Sequence, residues 1–152
     1  MIRDDLKTAL VSAMKSGDKA GTQTLRMVSS AIKNRDIELR TASVQPDDDA
    51  LVTDVLQKMI KQRRESAALY ETGGRAELAA IETSEIAALE HFLPRQMSED
   101  EARSAIAAII AETNAGSMKD MGRVMAEVKS RHATSIEPAK ASALVKALLS
   151  GA

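Results

Sequence analysis

Residues 52–70 carry the helical pattern that most constrains how this chain can fold. At about 100° per residue, apolar side chains gather on one side of this stretch and charged ones on the other, namely Lys58, Lys61, Arg64 and Glu65. Arg63 breaks the pattern, because it lies within the apolar stripe one turn beyond Met59. The pattern predicts a central amphipathic helix in which Arg63 either has an anionic partner or reaches solvent.

The shortage of aromatic residues points to a core of closely packed helices. The 152 residues include one Phe, one Tyr and no Trp, so that aliphatic residues, Ala and eight Met must fill the core. No alternating strand pattern is present, and we predict an all-α fold. The Met residues fit two interpretations, since a flexible thioether fills core gaps and also lines pliable grooves that bind partner proteins.

Helix start and stop signals divide the chain into an N-terminal four-helix domain and a smaller three-helix domain. Pro94 follows the fourth helical pattern, and a Ser-x-x-Glu capping box begins at Ser98. We therefore predict one domain over residues 1–95 and a second over residues 98–152.

Charged residues on inward-facing positions of three helices predict an ion network. Arg35 occupies a slot in the second helical stripe, Arg63 one in the third, and Glu82 and Glu85 lie at or beside the fourth. Burying charges costs several kcal/mol per ion unless they are paired. If these helices pack together, the four side chains form a partly buried network, which would fix helix register at least as readily as it would serve chemistry.

No pattern in the sequence indicates a catalytic residue, a cofactor or a metal. There is no Cys, and the two His residues are far apart in the sequence. The run of three Asp at residues 47–49 follows a Pro and is typical of a helix start, with a hard-cation site as the weaker alternative. The acidic start of the chain is unlike a secretory signal, so we expect a cytoplasmic protein without a membrane span.

Two basic surfaces are the candidates for binding. One lies on the central helix at Lys58, Lys61 and Arg64, and the other lies in the tail at Lys119, Arg123, Lys129 and Arg131. For the central helix the alternative interpretation is an ordinary solvated helix face, where charged residues are normal. Because the net charge is −1 and the tail has no aromatic side chain to stack on bases, we expect contacts to a folded RNA rather than to single strands or DNA.

Several runs of the sequence resemble the YqeY family, and together they cover nearly the whole chain: Thr24–Val28, Ala31–Glu38, Val55–Ser66, Glu85–Gln96 and Ser117–Met125. The tail also resembles the C-terminal domain of GatB, a subunit of the glutamine-dependent aspartyl/glutamyl-tRNA amidotransferase. The resemblance implies a link to tRNA-dependent amide transfer, a carbon–nitrogen ligase reaction with glutamine as nitrogen donor, but it implies no catalytic residue. The chain departs from the family at residues 134–138, where many members have a Gly-Arg-Ala-Asp-Gly-like turn.

Three functions follow as hypotheses. The first is a module that binds tRNA or an RNA–protein complex. The second is an accessory that works with amidotransferase subunits. The third is an adaptor that holds a partner helix in a Met-lined groove between the domains.

Overall fold

The computed structural model describes residues 1–151, and in that part of the chain it contains α-helices and no strand. The prediction of an all-α fold is confirmed. The chain divides into two compact units, the first spanning Met1–Leu93 and the second beginning at Pro94. The first holds helices α1 to α4 and the second holds α5 to α7; their bounds are Ile2–Ser16, Lys19–Glu38, Asp48–Thr72, Ala76–Glu90, Glu99–Glu112, Met121–His132 and Pro138–Leu149.

A two-residue turn separates α1 from α2, and each of its residues caps one of the two helices. Gly17 has φ 73°, a left-handed conformation that ends α1 without the steric cost that a side chain would add. Asp18 begins α2, and its Oδ1 accepts a hydrogen bond from the backbone N–H of Gly21 over 2.9 Å. The tight turn brings α1 and α2 together as neighbours.

Helix α3 is the central helix of the first unit. Asp47 caps it by accepting from the backbone N–H of Ala50, and in its first three turns most positions are buried on every side. Val52, Leu56 and Thr53 are fully buried there. The other three helices of the unit pack against α3, and their apolar residues complete the core.

The face of α4 that packs against α3 is not the one that its larger apolar residues suggest. Helical spacing predicts Ile81 on the inner face, but its side chain is 55% exposed, whereas Ala79 and Leu89 are buried and Ile86 packs on the core. The inner stripe therefore starts at a small residue. The Ala-rich sequence of α4 offers apolar positions on several faces, and close approach to α3 favours the one that carries Ala79.

The second unit has its own apolar core, with Ile106, Ile109, Val124 and Val145 at its centre. A complete capping box at Ser98 and Glu101 starts α5. A second box, between Ser117 and Asp120, caps a short 3-10 helix over Met118–Asp120, which leads directly into α6.

The turn at residues 134–138 has a structural role in the second unit. The carbonyl oxygen of Thr134 accepts from Nε2 of Gln96 over 2.8 Å, and that of Ser135 accepts from the N–H of Met97 over 2.9 Å. Ile136 is buried beside them. These contacts use backbone carbonyls, so many different turn sequences could make them.

None of the helices within residues 1–151 has the length and apolar character that a membrane span requires.

Candidate nucleic-acid interface

The tail cations fall into two groups according to whether a carboxylate holds them. Lys119 and Lys129 are exposed and, within the described part of the chain, form no ion pair. Lys119 lies on the 3-10 helix and Lys129 on α6. Their ammonium groups are thus available to an incoming phosphate without breaking an existing contact.

Arg123 is tethered to the start of its own helix. Its Nη2 donates to Oδ1 of Asp120 over 3.0 Å, while the other oxygen of that carboxylate accepts from the backbone N–H groups of Gly116 and Ser117. These two amides, with a smaller contribution from Arg123, hold the pKa of Asp120 below its usual range. Asp120 therefore stays ionised, and it offsets the charge of Arg123.

Arg131 is held by two carboxylates. It donates from Nη1 to Glu112 over 2.6 Å, and its Nε lies 3.2 Å from a carboxylate oxygen of Glu127. The hydrogen bond to Glu112 is the main cause of the raised pKa of Arg131. Arg131 links α5 to α6, and a phosphate would have to compete with both acids for it.

The basic face of the central helix is also partly paired. Lys58 lies 3.2 Å from Asp54 on the same helix, and Arg64 donates to Glu90 on α4 over 2.9 Å. Lys61 is exposed, and it forms no ion pair with residues that the structure describes. Of the cations predicted on this face, Lys61 is therefore the most accessible to an anion from another molecule.

The predicted ion network is reduced to one pair. Arg63 is 7% exposed, and its Nε donates to Oε2 of Glu85 over 2.8 Å. Arg35 lies elsewhere: its Nη1 donates to Glu38, one turn further along its own helix, over 2.9 Å. Glu82 is half-buried and makes no ion pair in the described residues. The expectation that Arg35 and Glu82 join the network was wrong, because the half-exposed Arg35 reaches a carboxylate on α2 while it stays hydrated.

A second ionic cluster, which the sequence patterns did not indicate, joins three helices. Arg3 on α1 makes a two-pronged contact with Asp36 on α2, at 2.9 and 3.0 Å, and also donates to Asp48 on α3 over 2.7 Å. The backbone N–H of Ile2 donates to Asp49 over 3.0 Å. Of the three acidic residues 47–49, one caps α3 and two bind α1. No group of residues in the described chain has the arrangement of a metal site.

The Met-lined groove in the structure lies within the first unit. It has a volume of about 950 Å³ and is lined by the end of α1, one face of α2 and part of α3, with Met14, Met27 and Met59 contributing thioethers. The adaptor hypothesis places such a groove between the domains. The groove formed here needs only the first unit.

Comparison with known proteins assigns the chain to a family. The sequence model of the family described as "Yqey-like protein" matches residues 3–149. The chain belongs to the YqeY family. A relative in Kluyveromyces lactis, "Altered inheritance of mitochondria protein 41, mitochondrial", is 34% identical over 87 residues. That match covers 57% of this chain and 45% of the relative, so the chain spans less than half of the relative's length.

Proposed function

We propose that this YqeY-family protein is an RNA-binding accessory module that acts beside tRNA-dependent amide transfer and relies on partner subunits for the chemistry. The observation that carries the proposal is the pair of exposed lysines in the second unit, Lys119 and Lys129, to which no carboxylate is paired in the described chain. The link to amide transfer comes from the likeness of the tail to GatB. The proposal places the protein in the cytoplasm.

The predicted RNA contacts differ in availability. Three of the cations can each neutralise a phosphate without breaking an ion pair of the fold: Lys61, Lys119 and Lys129. The other four already form ion pairs with carboxylates: Lys58, Arg64, Arg123 and Arg131. Phosphate contacts of this kind position a protein on RNA without reading its sequence. The lack of Phe, Tyr and Trp in the second unit favours recognition of a folded RNA by its shape.

Mobility of labelled tRNA tests the binding half of the proposal. We expect the full chain to retain tRNA at low salt and to release it as salt rises, and we expect Lys119→Glu/Lys129→Glu to bind far more weakly. The matched control is Lys7→Glu/Lys15→Glu, which makes the same charge change on α1 and should bind as the wild type does. Absence of binding at low salt, or equal weakening in the control, contradicts the proposal.

An amidation assay tests the accessory half. Mischarged tRNA, glutamine, ATP and the amidotransferase subunits are combined with and without this protein. We expect the initial rate of amide formation at limiting tRNA to rise when the protein is added, and not when the double Lys variant is added. An unchanged rate with the wild-type protein counts against the accessory role.

A further inference from the structure

One face of α2 is not covered by the other described helices of the first unit. This exposed face extends over most of the length of α2. The side chains on this face recur every three or four residues and line the groove: Lys19, Gln23, Arg26, Ser30 and Asn34. The opposite face, with Thr24, Val28 and Ile32, is buried. From Lys19 to Asn34 the groove wall is about 22 Å long at 1.5 Å per residue.

Three Met side chains, one from each of α1, α2 and α3, give the groove an apolar part. Met14 on α1 and Met27 on α2 are 52% and 47% exposed, and Met59 on α3 also lines the groove. A thioether adapts to varied apolar shapes, which suits a surface that receives side chains from another molecule. A phosphate gains nothing from thioethers, so the Met side chains favour a protein ligand over RNA.

The charge of the groove indicates what that ligand carries. Arg26 and Lys19 form no ion pair in the described residues, and the acid that lines the groove, Asp18, is engaged in capping α2. Arg63 also lines the groove, and its Nη2 donates to the sulfur of Met27, 3.9 Å away. Sulfur is a weak acceptor, so this N–H group keeps hydrogen-bonding capacity toward the groove. The groove thus combines cations and N–H donors with the apolar surface of three Met side chains.

We propose that this groove binds an amphipathic helix of a partner protein, about 15 residues long, which places apolar side chains on Met14 and Met27 and an acidic side chain against Arg26. The length of the α2 face matches about four helical turns. The volume of about 950 Å³ accommodates a row of side chains. The site lies in the first unit and does not depend on the RNA contacts proposed for Lys119 and Lys129.

Selection from a peptide display library tests the proposal on the full chain. The library holds helical peptides of about 16 residues with apolar residues fixed at i, i+4, i+7 and i+11 and with flanking positions randomised. We expect the selected peptides to be enriched in Asp and Glu. Their affinity, measured by fluorescence anisotropy, should fall by roughly tenfold or more with Arg26→Glu and with Met27→Asp, and should be unchanged with Lys7→Glu.

Arg26→Glu changes an exposed side chain without an ion pair in the described residues, so its thermal unfolding should match that of the wild type and weaker binding cannot be ascribed to unfolding. Met27→Asp also changes an acceptor of Arg63, so its thermal unfolding is measured beside its affinity. Failure to select any peptide, enrichment of basic peptides, or unchanged wild-type affinity with Arg26→Glu and Met27→Asp overturns the proposal. If Arg26→Glu weakens tRNA binding as much as Lys119→Glu/Lys129→Glu does, the groove binds RNA, and the proposal of a partner helix is contradicted. Self-association that Met27→Asp abolishes would make the ligand a second copy of the chain, which also contradicts the proposal.

Discussion

Arg63 on α3 and Glu85 on α4 form an ion pair of 2.8 Å in which the cation is buried and the carboxylate is 29% exposed. The carbonyl of Met59 accepts a further hydrogen bond from Nη1 of Arg63 over 3.3 Å. The guanidinium therefore has oxygen acceptors from α3 and α4, in addition to the sulfur of Met27 on α2. A pair in this position disfavours any rotation of α4 that would separate the two charges, because each would be left without its partner.

Replacement of Arg63 by Ala should lower the free energy of unfolding by about 2–3 kcal/mol. Breaking a buried pair costs about 3–5 kcal/mol, and the partial exposure of Glu85 reduces the effect because water can solvate the orphaned carboxylate. Urea unfolding followed by circular dichroism measures the change. The double variant Arg63→Met/Glu85→Leu should recover most of it, since no charge is then left unpaired.

Arg35→Ala is the matched control for Arg63→Ala. The Arg35 side chain is 36% exposed and pairs with Glu38 on its own helix, so its removal should cost about 0.5 kcal/mol or less. Equal destabilisation by the two substitutions would show that the packing of long side chains, not the buried pair, accounts for the effect.

The sequence was informative about Arg63 and misleading about Arg35, and the difference is physical. Both interrupt an apolar stripe, but Arg63 faces α4, which packs closely along α3, whereas the second half of α2 has one side open to water. A stripe shows which side of a helix faces the core. It does not show how deeply each turn is covered, which depends on where the neighbouring helices lie and end.

Arg3→Gln should lower stability by about 1–2 kcal/mol at neutral pH, because Arg3 joins three helices through charge-assisted hydrogen bonds at a site that is only partly exposed. Its hydrogen bonds lower the pKa of Asp36. A carboxyl with a lowered folded-state pKa stabilises the fold above its unfolded-state pKa, and this contribution is lost as pH falls through the folded-state value. The difference between wild type and variant should therefore be full above about pH 4 and shrink below it.

Urea midpoints of the two proteins at pH values of about 7, 5 and 3 measure this dependence. Lys7→Gln, which removes the same charge from an exposed position on α1, should give a small difference at all three values. A difference between wild type and Arg3→Gln that grows as pH falls would contradict the role of Asp36.

This cluster was not predictable from helical periodicity. Arg3 is at the start of α1, between a buried Ile2 and two exposed Asp residues, where a polar residue is expected in any amphipathic helix. Its partners lie 33 and 45 residues away. One feature of the sequence pointed to such contacts: three Asp residues occur together at the start of α3, and capping the helix requires only one of them.

Thr53→Val should raise the free energy of unfolding by up to about 1 kcal/mol. Thr53 is fully buried and its Oγ1 has no hydrogen-bond partner among the described residues, so the substitution removes an unsatisfied polar group while preserving shape. Thr83→Val is the comparison, because the hydroxyl of Thr83 donates to the carbonyl of Ala79 over 3.0 Å and its removal should not stabilise. A destabilised Thr53→Val variant would indicate a polar contact for that hydroxyl in solution.

Ser98→Ala should destabilise the second unit by about 1 kcal/mol, since the Ser98 hydroxyl accepts from the N–H of Glu101 at the start of α5 over 3.1 Å. Thermal unfolding with a probe in the second unit measures the effect. Ser104→Ala, at an exposed position within the same helix, should be neutral or slightly stabilising because Ala favours helix interiors. A neutral Ser98→Ala variant would mean that solvent replaces the cap.

The candidate interface shows the same limit of sequence reasoning as the ionic clusters. All seven predicted cations of the two basic surfaces are exposed on the structure, as helical periodicity indicates. Periodicity could not tell which of them have acids within reach on a neighbouring helix, as Arg131 has in Glu112 and Arg64 has in Glu90. In the sequence, the polar face of α2 that lines the groove resembled an ordinary solvated face. It lines a groove only because α1 and α3 lie beside it, and helical periodicity does not show that arrangement.

The salt dependence of tRNA affinity is the decisive measurement for RNA binding by the second unit. The logarithm of the association constant should fall linearly with the logarithm of salt concentration for the wild-type protein. Lys119→Glu/Lys129→Glu should reduce the magnitude of that slope by about 2, since each of the two lysines should neutralise one phosphate. The control Lys7→Glu/Lys15→Glu should leave the slope unchanged. An identical slope and affinity for the wild type and the Lys119 and Lys129 variant would contradict RNA binding through these lysines.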